Sequence, residues 1–265
     1  MQIIIPMSGF GERFRKVGYK IPKPLIKING IEMIGHVINL FPGESNFLFI
    51  CNKDHLNDKK LNMEAIIKKY CETAQIVEIE PHKLGPAHAV LKHKDKINLD
   101  EEVIINYCDF SCFWDWNNFK KFVKGTLCDG AIPAYKGFHP HSLGNTNYAY
   151  MQESQGWIND IQEKQPFTNN RMNEYASSGT YYFKNGRLLI NSLSYLIEKN
   201  LNINGEYYVS LAYKKLLLEN KKIAVYPLQH FFQWGTPEDL EEFMYWSKIF
   251  KLLVSKKEIN KPKSK

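Results

Sequence analysis

The sequence predicts an α/β protein: a Rossmann-like, doubly wound, mostly parallel mixed sheet with a small antiparallel addition. Two observations carry that expectation. Short apolar runs alternate with segments of helical period as far as Asp109, and beyond it strand-like runs follow one another without long helices between them. The first run, "QIIIPM" at residues 2–7, reads as a strand buried on both faces of a parallel sheet. Ile34, Val37, Ile38 and Phe41 then recur at helical spacing, and residues 46–52, "NFLFICN", form the next strand. A helix over 63–71, a strand over 75–80, a helix opening at Pro86 and a strand over 102–107 continue the alternation. Pro86 suits a first helical position, where its missing N–H would be unpaired anyway. After Asp109 come "DGAIPAYKG", "NYAYMQES" and "EYASSGTYYFKNG", expected as one sheet edge and a hairpin that build the far wall of a cleft. Helices are expected over 186–199 and 207–218, a strand over 222–228, and a closing helix over 236–253 with Thr236 as N-cap and Pro237 in its first turn.

Single α/β domains of about 250 residues are common, and the 265 residues suit one domain over 1–250 followed by a lysine-rich tail, 251–265, expected to be solvated and disordered. The formal net charge of +7 owes much to that tail. The remaining excess of base suits anionic small molecules, with no nucleic acid as partner, and is compatible with a homo-oligomer. Cys51, Cys71, Cys108, Cys112 and Cys128 are an odd number without zinc spacing, so they are expected to be reduced thiols. No apolar run approaches the ~20 residues of a membrane span, and a strand starting at Gln2 leaves no room for a signal peptide. A cytoplasmic protein without membrane insertion is the expectation.

The candidate site begins at "SGFGERFRKVGYKIPKPLI", residues 8–26. A dinucleotide fingerprint would require a third glycine where Phe14 stands, and a P-loop would require Gly-Lys-Ser/Thr where the chain reads Gly18-Tyr19. A phosphate-cradling loop fits better. Gly9 and Gly11 let backbone N–H groups approach phosphate oxygens, and Arg13 supplies a forked cation. Lys23, held between Pro22 and Pro24, presents a rigid ammonium where charge would develop on a transferring phosphoryl group.

The run G-x-G-x-R followed by P-K-P-L resembles the signature of the nucleotidyltransferases that make nucleotide sugars, the glucose-1-phosphate thymidylyltransferase type. The resemblance extends through "GPAHAV" at Gly85, "NYCDF" at Asp109, "QEKQ" at Glu163–Lys164, "SSGTYYF" at Gly179 and "WGTPEDL" near the end, covering the chain to about Leu240. It implies joining of an NTP to a sugar 1-phosphate or other small phosphate, with Mg²⁺ and pyrophosphate release, giving an activated precursor for surface polysaccharide. Arg13 and Lys23 would be catalytic, Ser8, Gly9, Gly11, Glu80 and Gly85 would hold the nucleotide, and Glu163, Lys164, Gly179 and Tyr148 the acceptor. Asp109 would bind the metal, and Gln233 stands where the family has a second metal-binding aspartate; Asp115 or Glu206 could substitute.

Glu80 falls where thymidylyltransferases use a glutamine to read the pyrimidine. A carboxylate only accepts hydrogen bonds, which points to CTP or GTP. The family includes phosphocholine cytidylyltransferases, for which Tyr148, Tyr150 and Trp234 could offer cation–π contacts. The loop holding His139 and His141 precedes the acceptor segment and could shape its pocket. Two rivals remain open. A glycosyltransferase of similar fold would carry Asp-x-Asp, which "DFSCFWD" is not, and a nucleotide-binding regulator without catalysis has Gln233 as its one argument.

Overall fold

β1 (Gln2–Met7) has every residue buried, as its apolar run requires, and it lies at the middle of the parallel part of the sheet. The computed structural model describes residues 1–137 and 146–259. From β1 the chain passes through α1 (Glu12–Lys16), a 3-10 turn at Lys23–Leu25, the small β2 (Lys27–Ile28) and β3 (Ile31–Glu32) pair, and α2 (Met33–Ile38). It returns as β4 (Phe47–Asn52), then α3 (Lys53–Asn57), α4 (Met63–Tyr70), β5 (Gln75–Ile79), α5 (Pro86–Lys92) and β6 (Val103–Asn106). β5, β4, β1 and β6 are parallel neighbours in that order.

The second half reads β7 (Phe110–Phe113), α6 (Trp116–Thr126), β8 (Gly130–Tyr135), β9 (Ala149–Ser154), β10 (Trp157–Glu163), β11 (Tyr175–Ser177) and β12 (Thr180–Phe183). It closes with α7 (Gly186–Glu198), α8 (Val209–Leu218), β13 (Ile223–Pro227), β14 (His230–Gln233) and α9 (Pro237–Ile259). Alternate residues of β1 supply the two faces. Ile3 and Ile5 join a core with Ile34 and Val37 of α2, Ile67 of α4 and Phe119 of α6. Ile4 joins another with Val90 of α5, Leu189 and Leu193 of α7 and Leu216 of α8. Helices therefore cover both faces, which is the doubly wound arrangement expected.

Of the antiparallel strands, β11, β9 and β10 lie at one end of the strand order, as the expected edge, whereas β12 is woven into the middle of the sheet. β12 runs antiparallel between β6 and β8, and its four residues are all buried. β9 and β10 form the expected hairpin, while β11 pairs with both β9 and β8. A separate pair, β7 and β14, was not expected; it sets Gln233 opposite Phe110 and lets the Trp234 N–H donate to the Asp109 carbonyl at 2.9 Å.

Three helical features differ from expectation. α6 occupies a stretch where no long helix was foreseen: Trp116, Phe119 and Val123 are buried at helical spacing, and the Asp115 carboxylate accepts the Asn118 N–H at 3.0 Å as N-cap. The short α3 is capped by Asn52, whose Oδ1 accepts the Asp54 and His55 amides. α9 continues to Ile259, well into the segment 251–265 taken for a solvated tail. Its start is as expected, with the Thr236 hydroxyl accepting the Asp239 N–H at 3.2 Å. His139 and His141 lie outside the described residues. All five cysteines are free thiols, and among the described residues no helix is long and apolar enough to cross a membrane.

Candidate active site

The chain leaves β1 and β6 in opposite directions across the sheet, β4 and β5 lying beyond one and β12 and β8 beyond the other. Open α/β sheets place ligands outside the carboxyl ends of strands at such a reversal. Here those ends carry Ser8 to Arg13 and Tyr107 to Asp109. Ser8 is buried, and its carbonyl accepts the Asn52 Nδ2–H at 3.2 Å, which ties the loop to β4. Gly11 has φ +65°, and a Cβ on either Gly9 or Gly11 would meet no atom within 4 Å. The loop backbone therefore stands open to the cleft.

That cleft, of about 480 Å³, runs from the glycine loop past Lys23 and Gly85 to Asp109. A second cavity, of about 160 Å³, is lined by Tyr148, Glu163, Lys164, Gly179 and Gln233. Arg13, Tyr107, Asp109 and Tyr208 line both, so they form the wall through which one ligand could react with another. The fold thus brings together eleven of the residues singled out in the sequence: Ser8, Gly9, Gly11, Arg13, Lys23, Gly85, Asp109, Tyr148, Glu163, Lys164 and Gly179, with Gln233 beside them.

At the shared wall the Lys23 ammonium donates to Asp109 Oδ2 at 2.7 Å. The Pro-Lys-Pro turn holds it there, the Leu25 N–H donating to the Pro22 carbonyl at 2.9 Å. Burial pulls Lys23 toward its neutral form, but the charge and hydrogen bond of Asp109 more than offset this and leave its pKa above the ordinary lysine value. Cys108 beside it is pushed up to about 12 by burial and stays a thiol.

The smaller cavity is organised in part by Tyr208 and Ser210, which the sequence did not mark. The Lys164 ammonium lies 4.3 Å from the Tyr208 ring centroid and donates to the Tyr208 hydroxyl, which in turn donates to Glu206. Glu163 is buried and accepts the Ser210 hydroxyl at 2.6 Å. Burial pushes the Glu163 carboxyl up to about 7, the Ser210 hydrogen bond and Lys164 holding it down only in part. Between its unfolded value of 4.5 and about 7 the folded chain retains a proton that the unfolded chain has lost, so this group makes stability fall as pH rises through that window. Glu163→Gln is expected to remove that slope; urea unfolding at pH values bracketing the window measures it.

Several expectations are corrected by position. Glu80 is exposed, ion-paired with Lys53, and absent from the cleft lining, where His82 and Lys83 stand instead. Lys83 reaches Glu12 at 2.7 Å across the cleft mouth. The Leu84 N–H donates to His82 Nδ1 at 3.1 Å, which leaves the proton on Nε2. Asp115 caps α6 and lines neither cavity, whereas Glu206 lines the larger of the two while accepting from Tyr208. Trp234 is 1% exposed, packed among Phe14, Met33 and Leu240, and offers no cation–π wall; Tyr150 is likewise buried and lines neither cavity. Tyr208 and Ser210 had no sequence signal beyond the start of a helix, since Lys164 and Glu163, which they contact, are more than forty positions away.

Residues 2–247 match the family model described as nucleotidyl transferase, and the chain belongs to that family. It is 26% identical over 214 residues to the "Bifunctional protein GlmU" of Chelativorans sp. (strain BNC1), an alignment covering 78% of this chain and 43% of that protein. The chain thus spans less than half the length of that curated relative. Among solved structures it resembles the nucleoside-diphosphate-sugar pyrophosphorylase from Vibrio cholerae RC9, with TM-score 0.73 and 19% identity over 92% of this chain and 100% of that one. It also resembles a putative glucose-1-phosphate thymidylyltransferase from Bacillus anthracis, with TM-score 0.70 and 17% identity over 91% and 93% of the two chains. These likenesses establish the fold.

Proposed function

We propose that the chain joins a nucleoside triphosphate to a sugar 1-phosphate or a similar small phosphate monoester, with release of pyrophosphate. The observation that carries this reading is Lys23, fixed against Asp109 at the wall shared by a cavity with an open glycine loop and a cavity with its own lysine. The triphosphate would lie along Ser8, Gly9, Gly11 and Arg13, and the acceptor phosphate against Lys164. An acceptor oxygen attacks the α-phosphorus, a new P–O bond forms, and the bond to the bridging oxygen of the β-phosphate breaks with its electron pair leaving on pyrophosphate. The attacking oxygen is already anionic, so no general base is needed. Lys23 and Arg13 neutralise the charge that develops, and positioning supplies much of the remainder.

Among the described residues no three carboxylate, histidine or cysteine side chains gather into a metal cage. Mg²⁺ seldom needs one, because one or two protein ligands plus substrate phosphates and water suffice. Asp109 with the neighbouring Gln233 amide fits that mode, and these two residues would hold the ion. When bound it would supply further charge neutralisation on the triphosphate.

The choice of base does not pass through Glu80 in this arrangement. Glu80→Gln is expected to change kcat/KM for any NTP by no more than about twofold, as for an exposed ion pair. The test of the function is pyrophosphate release with Mg²⁺, each of the five common NTPs and a panel of sugar 1-phosphates and small alcohol phosphates. Acceptor-dependent release with one NTP supports the reading and identifies both substrates. Release of a nucleoside diphosphate from a nucleotide sugar would support the glycosyltransferase reading instead.

A further inference from the structure

Lys164 lines the smaller cavity and Glu206 the larger, and one side chain, Tyr208, lines both and stands between them. The Tyr208 hydroxyl is hydrogen-bonded to the Lys164 ammonium on one side and to the Glu206 carboxylate on the other. The direction of that chain is fixed by its chemistry. An ammonium has only donors and a carboxylate only acceptors, so the hydroxyl must accept from Lys164 and give its own proton to Glu206.

The main chain is fixed at both residues. Lys164 follows β10 in a left-handed conformation, φ +59°, which side-chain-bearing residues rarely adopt, and its N–H donates to the Tyr148 carbonyl at 2.8 Å. Tyr208 is held from either side. The Tyr207 N–H donates to the Leu84 carbonyl at 2.9 Å, the Tyr207 carbonyl accepts the Ala87 N–H at 3.0 Å, and the Val209 N–H donates to the Tyr107 hydroxyl at 3.3 Å. Gly85 and Pro86 line the larger cavity and Tyr107 lines both, so Tyr208 is anchored to the walls it separates. What stays adjustable is the flexible four-carbon stem of Lys164. Without the hydroxyl between them, the ammonium would be drawn directly to the Glu206 carboxylate and out of the smaller cavity.

We propose that Tyr208, its proton held by Glu206, is the residue that positions Lys164 to bind a phosphate in the smaller cavity. The inference rests on Lys164 as the holder of the acceptor phosphate, and it adds the residue on which that role depends. The hydroxyl takes one of the three ammonium N–H groups and leaves two for phosphate oxygens. Tyr208 is a positioning residue: it acts on the anion through Lys164 and neither attacks nor transfers a proton in the reaction.

The test is calorimetric titration of the full chain with inorganic phosphate at neutral pH, a probe that needs neither an identified acceptor nor turnover. Lys164→Ala defines the site and should weaken phosphate binding there by at least about tenfold, as for loss of a charged hydrogen-bond donor. Tyr208→Phe should weaken it by about tenfold as well, with the circular dichroism of the wild type. Added to Lys164→Ala, Tyr208→Phe should change nothing further, because a residue that acts only through Lys164 then has nothing to act on. A hydroxyl that merely supported the fold would cost the same in both backgrounds. Phosphate affinity of Tyr208→Phe within about twofold of wild type, or an equal loss in both backgrounds, would overturn the proposal. So would a wild type without a Lys164-dependent phosphate site, which would also remove the acceptor-phosphate role of Lys164. The expected phosphate results without pyrophosphate release from any NTP and acceptor would support the positioning role and count against the proposed reaction alone.

Discussion

Lys23→Ala is expected to lower the rate of nucleotidyl transfer by about 10²–10³-fold, by analogy with removal of one preorganised oxyanion donor. The ammonium is held by a short turn whose own hydrogen bond, from the Leu25 N–H to the Pro22 carbonyl, does not involve the side chain. The fold should therefore survive, and circular dichroism and the unfolding midpoint should stay close to wild type. The loss should appear chiefly in kcat, because Arg13 and the glycine-loop backbone remain to bind the triphosphate. Lys23→Arg should recover little, since a guanidinium fork cannot replace a point charge 2.7 Å from Asp109 without moving the turn. Comparing the single-turnover rate with the nucleotide dissociation constant for each variant separates the two effects.

Gly85→Ala should be the most damaging single methyl group in the site. Gly85 adopts φ 83° and ψ 173°, a region open to glycine alone, and an added Cβ would stand 2.7 Å from both the backbone N and O of Tyr207. Those two atoms are already engaged, the Tyr207 N–H donating to the Leu84 carbonyl at 2.9 Å and the Tyr207 carbonyl accepting from Ala87 at 3.0 Å. Backbone must shift to admit the methyl, and the next residue is Tyr208, the partner of Lys164. Strain alone costs about 1–3 kcal/mol, and the displaced hydrogen bonds add about 1 kcal/mol each. Gly43→Ala is the control. Gly43 has φ +84° but no neighbour within 4 Å, so urea unfolding should show a smaller loss there and unchanged affinity for the nucleotide.

The parallel half of the fold was legible because each strand there carries its own burial. β1 and β4 are buried along their whole length and read as unbroken apolar runs. β12 is equally buried, but it continues β11 in the same direction along β8, so its antiparallel setting is fixed by how the chain enters β11, and no local pattern records that. α6 was missed although Trp116, Phe119 and Val123 are helically spaced, because the aromatic run before them, "FSCFW", resembles strand. The site divides in the same way. Lys23 and Asp109 announced themselves by motif, yet their contact spans 86 positions and could not be read from either. Glu80 shows the opposite failure: counting from Gly85 found the position but not its direction, and the side chain turns to Lys53.

The central claim is attack by an acceptor phosphate on the α-phosphorus of the nucleotide, and phosphorus NMR of a running reaction tests it most directly. With the NTP and acceptor that support turnover, the triphosphate signals should give way to pyrophosphate and to a new diphosphate diester in equal amounts, both absent with Lys23→Ala. Appearance of nucleoside diphosphate or orthophosphate, with no diester, would place the cleaved bond elsewhere and contradict the account.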